Sequence, residues 1–240
     1  IVTGNFTTYK GLTANRITRI LPDGTWDSSF NIAGFGFTTS ASFRTTVPGS
    51  NHVIVQPDNK IVVVGNFTQY NFTTANRIVR LNSNGSFDPT FITGTAFNGY
   101  CNCIEIQPNG QIIVGGFATD YDGNQLFDLG TFISNDNTIC RLDANGSFDS
   151  TFNSALNSFS GPSKNKTINV IKVQPDGKIL CGGAFQSFGG STAKLILRLD
   201  ANGDPDPTFI SPFISIGLVG VPNISDILIQ DDGKIIIVGN

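Results

Sequence analysis

The chain has 240 residues, of which 39% are hydrophobic and 14% charged, and its net charge is −3. Its length and hydrophobic content suffice for a buried core, and its negative charge, with no basic run longer than two residues, argues against nucleic-acid binding through a phosphate-neutralising patch. A surface that is mostly neutral and polar, rich in Asn, Thr, Ser and Gly, favours a secreted, cell-surface or virion protein over a cytosolic enzyme.

A polar turn followed by a short apolar run recurs along the chain and marks it as a tandem repeat. The full copies span residues 56–67, 107–117, 174–185 and 230–240, and a copy without its turn opens the chain at residues 1–6. A second recurring segment, RIxRL followed by a turn and an aromatic, contains Arg19, Arg80, Arg141 and Arg198, spaced 61, 61 and 57 residues apart. The repeat period is therefore close to 60 residues.

The sequence pattern of each unit predicts four short antiparallel strands. The first strand alternates in hydrophobicity, as where Ile104 and Ile106 flank Glu105, and a PDG, PNG or DDG hairpin turn follows it. The second is a β-branched run such as residues 61–64, which suits a strand buried on both faces and ends at glycine. The third is the RIxRL segment, and after an Asn-Gly or Asp-Gly turn a short fourth strand carries an aromatic such as Phe87.

These units predict an all-β fold with no helix of ten residues, and four-stranded units repeated at a fixed period describe the blades of a β-propeller. We place the unit boundaries at residues 1–49, 50–99, 100–166 and 167–222, with a partial unit at 223–240. Both chain ends carry the same strand of the repeat, which predicts a larger ring or an array completed by a neighbour. No apolar stretch approaches the roughly 20 residues that span a bilayer, so we expect no membrane insertion.

The combined pattern, QPDGKIxxGGxF followed by RIxRLxxxGSxDxxF at a period near 60, resembles the delta-60 repeat family. The resemblance covers essentially the whole chain. It implies a β-propeller and an extracellular setting, because such repeats occur in tandem in bacterial surface proteins and some phage proteins. It implies no catalytic residues.

One inter-strand loop is longer than its counterparts and holds an acidic cluster. The segment from Phe117 to Arg141 takes 24 residues where three other units take 13. Oxygen-bearing side chains spaced along this loop could wrap one Ca²⁺ ion. The candidate ligands are Asp120, Asp122, Asn124 and Asp128. A plain acidic surface loop is the alternative, since Gln125 stands where a turn glycine is usual.

Aromatic and charged residues offer two further candidate sites. Tyr121 and Phe127, in the same acidic loop, are candidate sugar-stacking residues. The Arg and Asp that recur in every unit, such as Arg80 and Asp88, favour repeated structural ion pairs, because a catalytic site is needed once rather than four times. Recurrent aromatics such as Tyr70 fit a packing role, with sugar stacking as the alternative.

The cysteines and the single histidine supply little chemistry. We expect free structural thiols at Cys101, Cys103, Cys140 and Cys181, with Cys140 and Cys181 buried, and disulfides or metal ligands are the alternative. The first two are two residues apart, which in a regular strand places both on one face and too far apart for an easy bridge. Their spacing supplies no zinc motif. His52 is the only histidine, so neither a Ser/His/Asp triad nor a histidine-ligated metal is expected.

The sequence therefore predicts a non-enzymatic structural or binding module of a bacterial cell surface or phage particle, such as an adhesin, fibre or spike component. Expected partners are a protein or glycan surface partner or neighbouring copies of the chain, and not nucleic acid. The alternatives are a Ca²⁺-stabilised, carbohydrate-binding lectin and, more remotely, a propeller hydrolase or lyase.

Overall fold

The computed structural model describes residues 1–32, 34–38, 50–126, 137–152, 158–160, 167–188, 191–192, 194–212 and 222–240. Within these ranges every regular element is a β-strand, and no helix has the length and hydrophobicity that crossing a bilayer requires. The prediction of an all-β chain is confirmed.

The strands of the described residues are numbered in chain order. They are β1 (Val2–Thr3), β2 (Thr8–Tyr9), β3 (Leu12–Thr13), β4 (Ile17–Thr18), β5 (Phe37–Thr38), β6 (Ser50–Val55), β7 (Ile61–Gly65), β8 (Gln69–Tyr70), β9 (Thr73–Thr74), β10 (Ile78–Leu81), β11 (Cys101–Ile106), β12 (Ile112–Gly116), β13 (Asp120–Tyr121), β14 (Asn124–Gln125), β15 (Asn137–Leu142), β16 (Ser158–Ser160), β17 (Thr167–Val173), β18 (Ile179–Ala184), β19 (Ser187–Phe188), β20 (Ser191–Thr192), β21 (Ile196–Leu199), β22 (Ile224–Ile229) and β23 (Ile235–Gly239).

Each complete unit is an antiparallel sheet with the β-branched run at its centre. In the second unit β7 pairs with β6 on one side and β10 on the other, so that Val63 lies opposite both Val53 and Val79. The third unit repeats this order as β11-β12-β15 and the fourth as β17-β18-β21. The expected fourth strand is reduced to a single bridged pair in each unit, such as Leu81 with Phe87.

The apolar side chains of these sheets form cores between neighbouring units. Val62 and Val64 pack with Ile104 of the third unit, while Ile61 on the opposite face packs with Phe30 of the first. Full burial of each such side chain contributes about 1.5–3 kcal/mol. Sheets of similar build that pack face to face, each against the next, are the blades of a β-propeller.

The partial unit at the end of the chain is a two-stranded sheet, β22 with β23. Val238 is 54% exposed, whereas Val64, at the matching place in the second unit, is buried. At the other end β1, a second strand of the repeat, pairs with β4, a third strand. That further blades or a neighbouring chain extend the array stays a prediction.

A β-bulge in each first strand changes the expected placement of the cysteines. The register shifts between Cys101 and Cys103, so the two residues enter different core clusters, one facing the second unit and one the fourth. The expectation that they share a face is therefore wrong, because Asn102 adds one residue to the strand. All four cysteines are free, as predicted, and burial, which was expected for Cys140 and Cys181, extends to all four and raises the pKa of each thiol.

A small hairpin fills the connection between the second and third strands, where the sequence indicated only a loop. The hairpins are β2–β3, β8–β9, β13–β14 and β19–β20. In the second unit β8 also pairs with β5, which arrives from the preceding unit. Asn71 and Phe72 form the tip of that hairpin, both with positive φ.

Candidate functional site

The acidic loop begins inside the small hairpin that all units share. Asp120 and Tyr121 form β13, and Asn124 lies in β14, at the places that Gln69, Tyr70 and Thr73 occupy in the second unit. The extra length of the third unit therefore comes after Leu126. Phe127 and Asp128 lie outside the described residues. The structure therefore describes three of the four candidate Ca²⁺ ligands, Asp120, Asp122 and Asn124.

The side chains of the three described candidate Ca²⁺ ligands each form a hydrogen bond with a backbone group. Asp122 Oδ1 accepts from the backbone N–H of Thr95 at 2.9 Å. Asp120 Oδ1 accepts from the N–H of Gly123 at 3.0 Å, and Asn124 Nδ2 donates to the carbonyl of Tyr121 at 3.1 Å. Among the described residues no group of three or more His, Cys, Asp or Glu side chains is placed to hold a metal. Calcium binding, which also involves Asp128, stays a prediction.

Asp122 has a neutral counterpart with the same task. In the second unit Asn71 Oδ1 accepts from the backbone N–H of Gly36 at 2.7 Å. Both side chains sit at the first turn position of the hairpin with positive φ, and both hold the chain segment that arrives from the preceding unit. In these two hairpins the task therefore needs an oxygen acceptor rather than a negative charge.

Tyr121 is a packing residue. It is 1% exposed and its hydroxyl donates to the carbonyl of Gly146 at 2.5 Å. Tyr70 donates to Gly85 in the same way at 2.5 Å, and Tyr9 to Gly24 at 3.0 Å. The buried ring has no face open to a sugar, so the expected stacking role of Tyr121 is corrected: its hydroxyl ties the small hairpin to the Asn-Gly turn.

The recurrent arginine and aspartate form the same group in every unit, which we term the inter-unit joint. It consists of the Arg, the Asp eight residues later, the Ser or Thr two residues after that Asp, and the following Phe. The Arg Nε to Asp Oδ2 distances are 2.5 Å for Arg19–Asp27, 2.7 Å for Arg80–Asp88, 2.6 Å for Arg141–Asp149 and 2.8 Å for Arg198–Asp206. The interpretation of these residues as structural pairs agrees with this geometry.

The guanidinium of each joint has further partners. In the second unit Arg80 Nη2 donates to Thr90 Oγ1 at 3.0 Å, and its guanidinium carbon lies 4.8 Å from the centre of the Phe91 ring. Its Nη1 donates to the carbonyl of Ala144, in the third unit, at 2.6 Å. The bonds from Arg19 to Ser83 and from Arg141 to Ala201 repeat this link between units.

The aspartates of the joints are held in the charged form. Asp27 has its pKa lowered to about 2 by hydrogen bonds from Ser29 and from Arg19. Burial works to raise the pKa of Asp88, but bonds from Thr90, Lys60 and Arg80 lower it on balance. Carboxylates with such low pKa values are unsuited to proton transfer near neutral pH. They favour a structural role.

Polar side chains also link the first strands of successive units. His52 Nδ1 accepts from the backbone N–H of Ile104 at 3.1 Å, and Lys172 lies 3.4 Å from Glu105. Burial and the positive charge of Lys172 lower the pKa of His52, so the imidazole is neutral at pH 7. Neutral Nδ1 is the acceptor, which places the ring proton on Nε2.

Two exposed aromatics were not among the residues selected from the sequence. Phe72 is 68% exposed and Phe35 54% exposed, and their ring centres lie 4.6 Å apart. The signal for Phe72 was available: it stands at a turn position where the equivalent hairpins have Gly11 and Gly123. Phe35 gave no such signal, because the segment that brings it to the hairpin varies between units.

The comparisons with known proteins agree with this architecture. The family described as Domain of unknown function (DUF5122) beta-propeller matches residues 1–30, 56–91, 107–152 and 174–209. No curated protein matches the chain. The four matched segments hold the second strands, the third strands and the inter-unit joints. The chain belongs to the DUF5122 beta-propeller family.

Proposed function

We propose that this propeller is a non-enzymatic structural or binding module of a bacterial cell surface or phage particle. The observation that carries the proposal is the inter-unit joint. The recurrent Arg and Asp side chains, which are spaced like a repeated site, are engaged in the same structural group in all four units. The single histidine of the chain is likewise bonded to a neighbouring backbone group.

The surface chemistry supports a location outside the cell. Charged residues make up 14% of the chain, and its polar surface relies on Asn, Thr, Ser and Gly. Such a surface fits adhesins, fibres and spikes, whose partners are proteins, glycans or further copies of the same chain. Rigid units joined face to face would present the variable connections between strands as a binding surface.

A carbohydrate-binding lectin is the second candidate. The exposed pair of Phe35 and Phe72 favours it, because exposed aromatic rings next to amide side chains suit sugar stacking. Stabilisation of such a lectin by Ca²⁺ remains a separate prediction for the acidic loop.

The experiment is incubation of the purified protein with a panel of bacterial surface polysaccharides. Retention is measured by biolayer interferometry, and the length of each glycan is measured by size-exclusion chromatography before and after. We expect every chain length to stay unchanged whether or not the glycan is retained. Protein-dependent shortening of any glycan would overturn the non-enzymatic proposal and indicate a hydrolase or lyase.

A further inference from the structure

Phe72 occupies an unfavourable backbone position for an aromatic residue. Its φ is 65°, in the left-handed region where a bulky side chain is a genuine outlier. Gly11 and Gly123 hold this place in the equivalent hairpins, and a Cβ added to either would meet no atom within 4 Å. At this turn position the second unit therefore has a backbone cost that glycine avoids in the first and third units, and strained positions often lie at functional sites.

The ring of Phe72 buries little apolar surface that could offset this backbone cost. It is 68% exposed and contacts Phe35, which is itself 54% exposed. Thr95 takes the place of Phe35 in the third unit, because Asn76 Nδ2 donates to the carbonyl of Thr95 at 3.0 Å as Asn15 Nδ2 does to that of Phe35. Among the hairpin turns that the structure describes, the exposed pair of Phe35 and Phe72 therefore lies at the junction of the first and second units and has no counterpart at the junction of the second and third.

The backbone beneath the aromatic pair is fixed by amide side chains. Asn71 accepts from the N–H of Gly36 at 2.7 Å and donates to Asn31 Oδ1 at 2.6 Å. Asn15 Nδ2 donates to the carbonyl of Phe35 at 2.8 Å. Two rings on a hydrogen-bonded support lose little conformational entropy when a ligand binds, which favours affinity.

The chemistry around the pair selects among ligands. Residues 30–38 and 66–76 contain no Asp, Glu, Lys or Arg, and they are rich in amides, hydroxyls and glycine. An ionic ligand would find no charged side chain in these segments, and the guanidinium of Arg16, which reaches them from the first unit, donates to the carbonyl of Phe37 at 3.2 Å. A neutral sugar offers C–H faces for aromatic rings and hydroxyls for amides, so it matches both features.

We propose that the aromatic pair of Phe35 and Phe72 is the binding platform for a neutral carbohydrate chain. The rings stack on successive sugar faces, and the neighbouring Asn and Thr side chains form a polar rim. This inference rests on the binding role proposed above, and it names the surface and the ligand class.

The test uses an array of neutral and anionic glycans with four forms of the protein. The forms are the wild type, Phe72→Gly, Phe35→Thr with Phe72→Gly, and the control Ile210→Thr. The first two substitutions install the residues that the third unit already carries at these places. Ile210 is 83% exposed in the fourth unit, so its replacement removes exposed apolar area elsewhere. Melting curves establish that each form is folded.

We expect the wild type and Ile210→Thr to retain neutral glycans and the double variant to lose about tenfold or more in affinity, the size of a lost aromatic anchor. Phe72→Gly should melt no lower than the wild type, because glycine relieves the backbone strain. Full retention by the double variant would overturn the inference while leaving a glycan-binding role in place. Retention of anionic glycans alone would also overturn it.

The competing explanation for the aromatic pair is that a second copy of the chain binds to it. Sedimentation velocity of the wild type and the double variant distinguishes the two. A wild-type dimer that dissociates in the double variant, without glycan retention, would overturn the carbohydrate assignment. Neither result bears on the absence of glycan cleavage, which the chain-length measurement tests separately.

Discussion

Arg80 donates from Nη1 to the carbonyl oxygen of Ala144 at 2.6 Å, although 64 residues separate the two in the sequence. The same side chain pairs with Asp88 and covers the Phe91 ring. One guanidinium therefore organises the turn of its own unit and ties it to the next. Lysine could not do both, because the task needs the fixed fork of arginine.

Arg80→Lys should lower the free energy of unfolding by about 2 kcal/mol, because a buried charge pair loses geometry and the Ala144 carbonyl loses its donor. Arg198→Lys is the matched control. Among the described residues Arg198 has its own Asp and Thr partners but no carbonyl from a following unit. Urea denaturation of both variants measures the difference. Equal losses would contradict a role for Arg80 between units.

Tyr121→Phe should cost about 1–2 kcal/mol of stability, because the Gly146 carbonyl loses a buried hydrogen bond. Tyr9→Phe should cost less, since the hydroxyl of Tyr9 is only partly buried and its bond to Gly24 is longer. Chemical denaturation of the two variants gives the comparison. An unchanged stability for Tyr121→Phe would show that the hydroxyl does not hold the turn.

The lowered pKa of His52 predicts that the protein loses stability in mild acid. Its pKa in the folded protein is lowered below the ordinary value of 6.5 by burial and by the positive charge of Lys172, against the opposing charges of Glu105 and Asp226. Protonation therefore favours the unfolded chain, so the contribution is complete above pH 6.5 and is lost as the pH falls below it. Protonated Nδ1 also could not accept from Ile104.

His52→Asn supplies the control, because its amide oxygen can accept a hydrogen bond and does not titrate. The melting temperature of the wild type should fall more between pH 7.5 and pH 5 than that of the variant. Parallel falls in the two proteins would assign the acid sensitivity to other groups.

Asp122→Asn separates the hydrogen-bond role of this residue from the calcium hypothesis. Asparagine already performs the task at position 71, so the variant should melt like the wild type in the presence of a chelator. If the acidic loop binds Ca²⁺, added calcium should raise the melting temperature of the wild type more than that of Asp122→Asn or Asp120→Ala. Identical wild-type curves with calcium and with chelator would contradict the calcium hypothesis.

Much of the blade could be predicted from the sequence, because its strands have strong patterns. Alternation in the first strand, the β-branched run in the second and the Asn-Gly turn each act over a few neighbouring residues. The run of Ile61 to Gly65 is buried throughout, as the lack of alternation indicated. The recurrence of Arg80 with Asp88 in all four units likewise pointed to structure, and the geometry agrees.

Single-residue shifts could not be predicted from the sequence. Aligning Phe117 with Phe67 looks natural, yet the strand register places Ala118 there. The Thr138 hydroxyl donates to the carbonyl of Ala118, and the backbone N–H of Arg77, at the matching place in the second unit, donates to the carbonyl of Phe67. Phe117 instead packs on Tyr100.

The role of Tyr121 was missed for a related reason. The sequence places it among acidic residues, which suggested a ligand-binding loop. In the fold it takes the place of Tyr70, and its hydroxyl reaches a glycine 25 residues away. The role of Tyr121 depends on a contact between segments that are distant in sequence, and so does the pairing of Phe35 with Phe72.

Hydrogen–deuterium exchange of Arg80→Lys tests most directly the claim that the recurrent arginines join the units. The relevant probe is the turn of the third unit that contains Ala144, where the N–H of Gly146 bonds to the carbonyl of Asp143. We predict faster exchange in this turn as well as around Asp88 in the second unit. Faster exchange confined to the second unit, with the turn of the third unit as protected as in the wild type, would contradict the account.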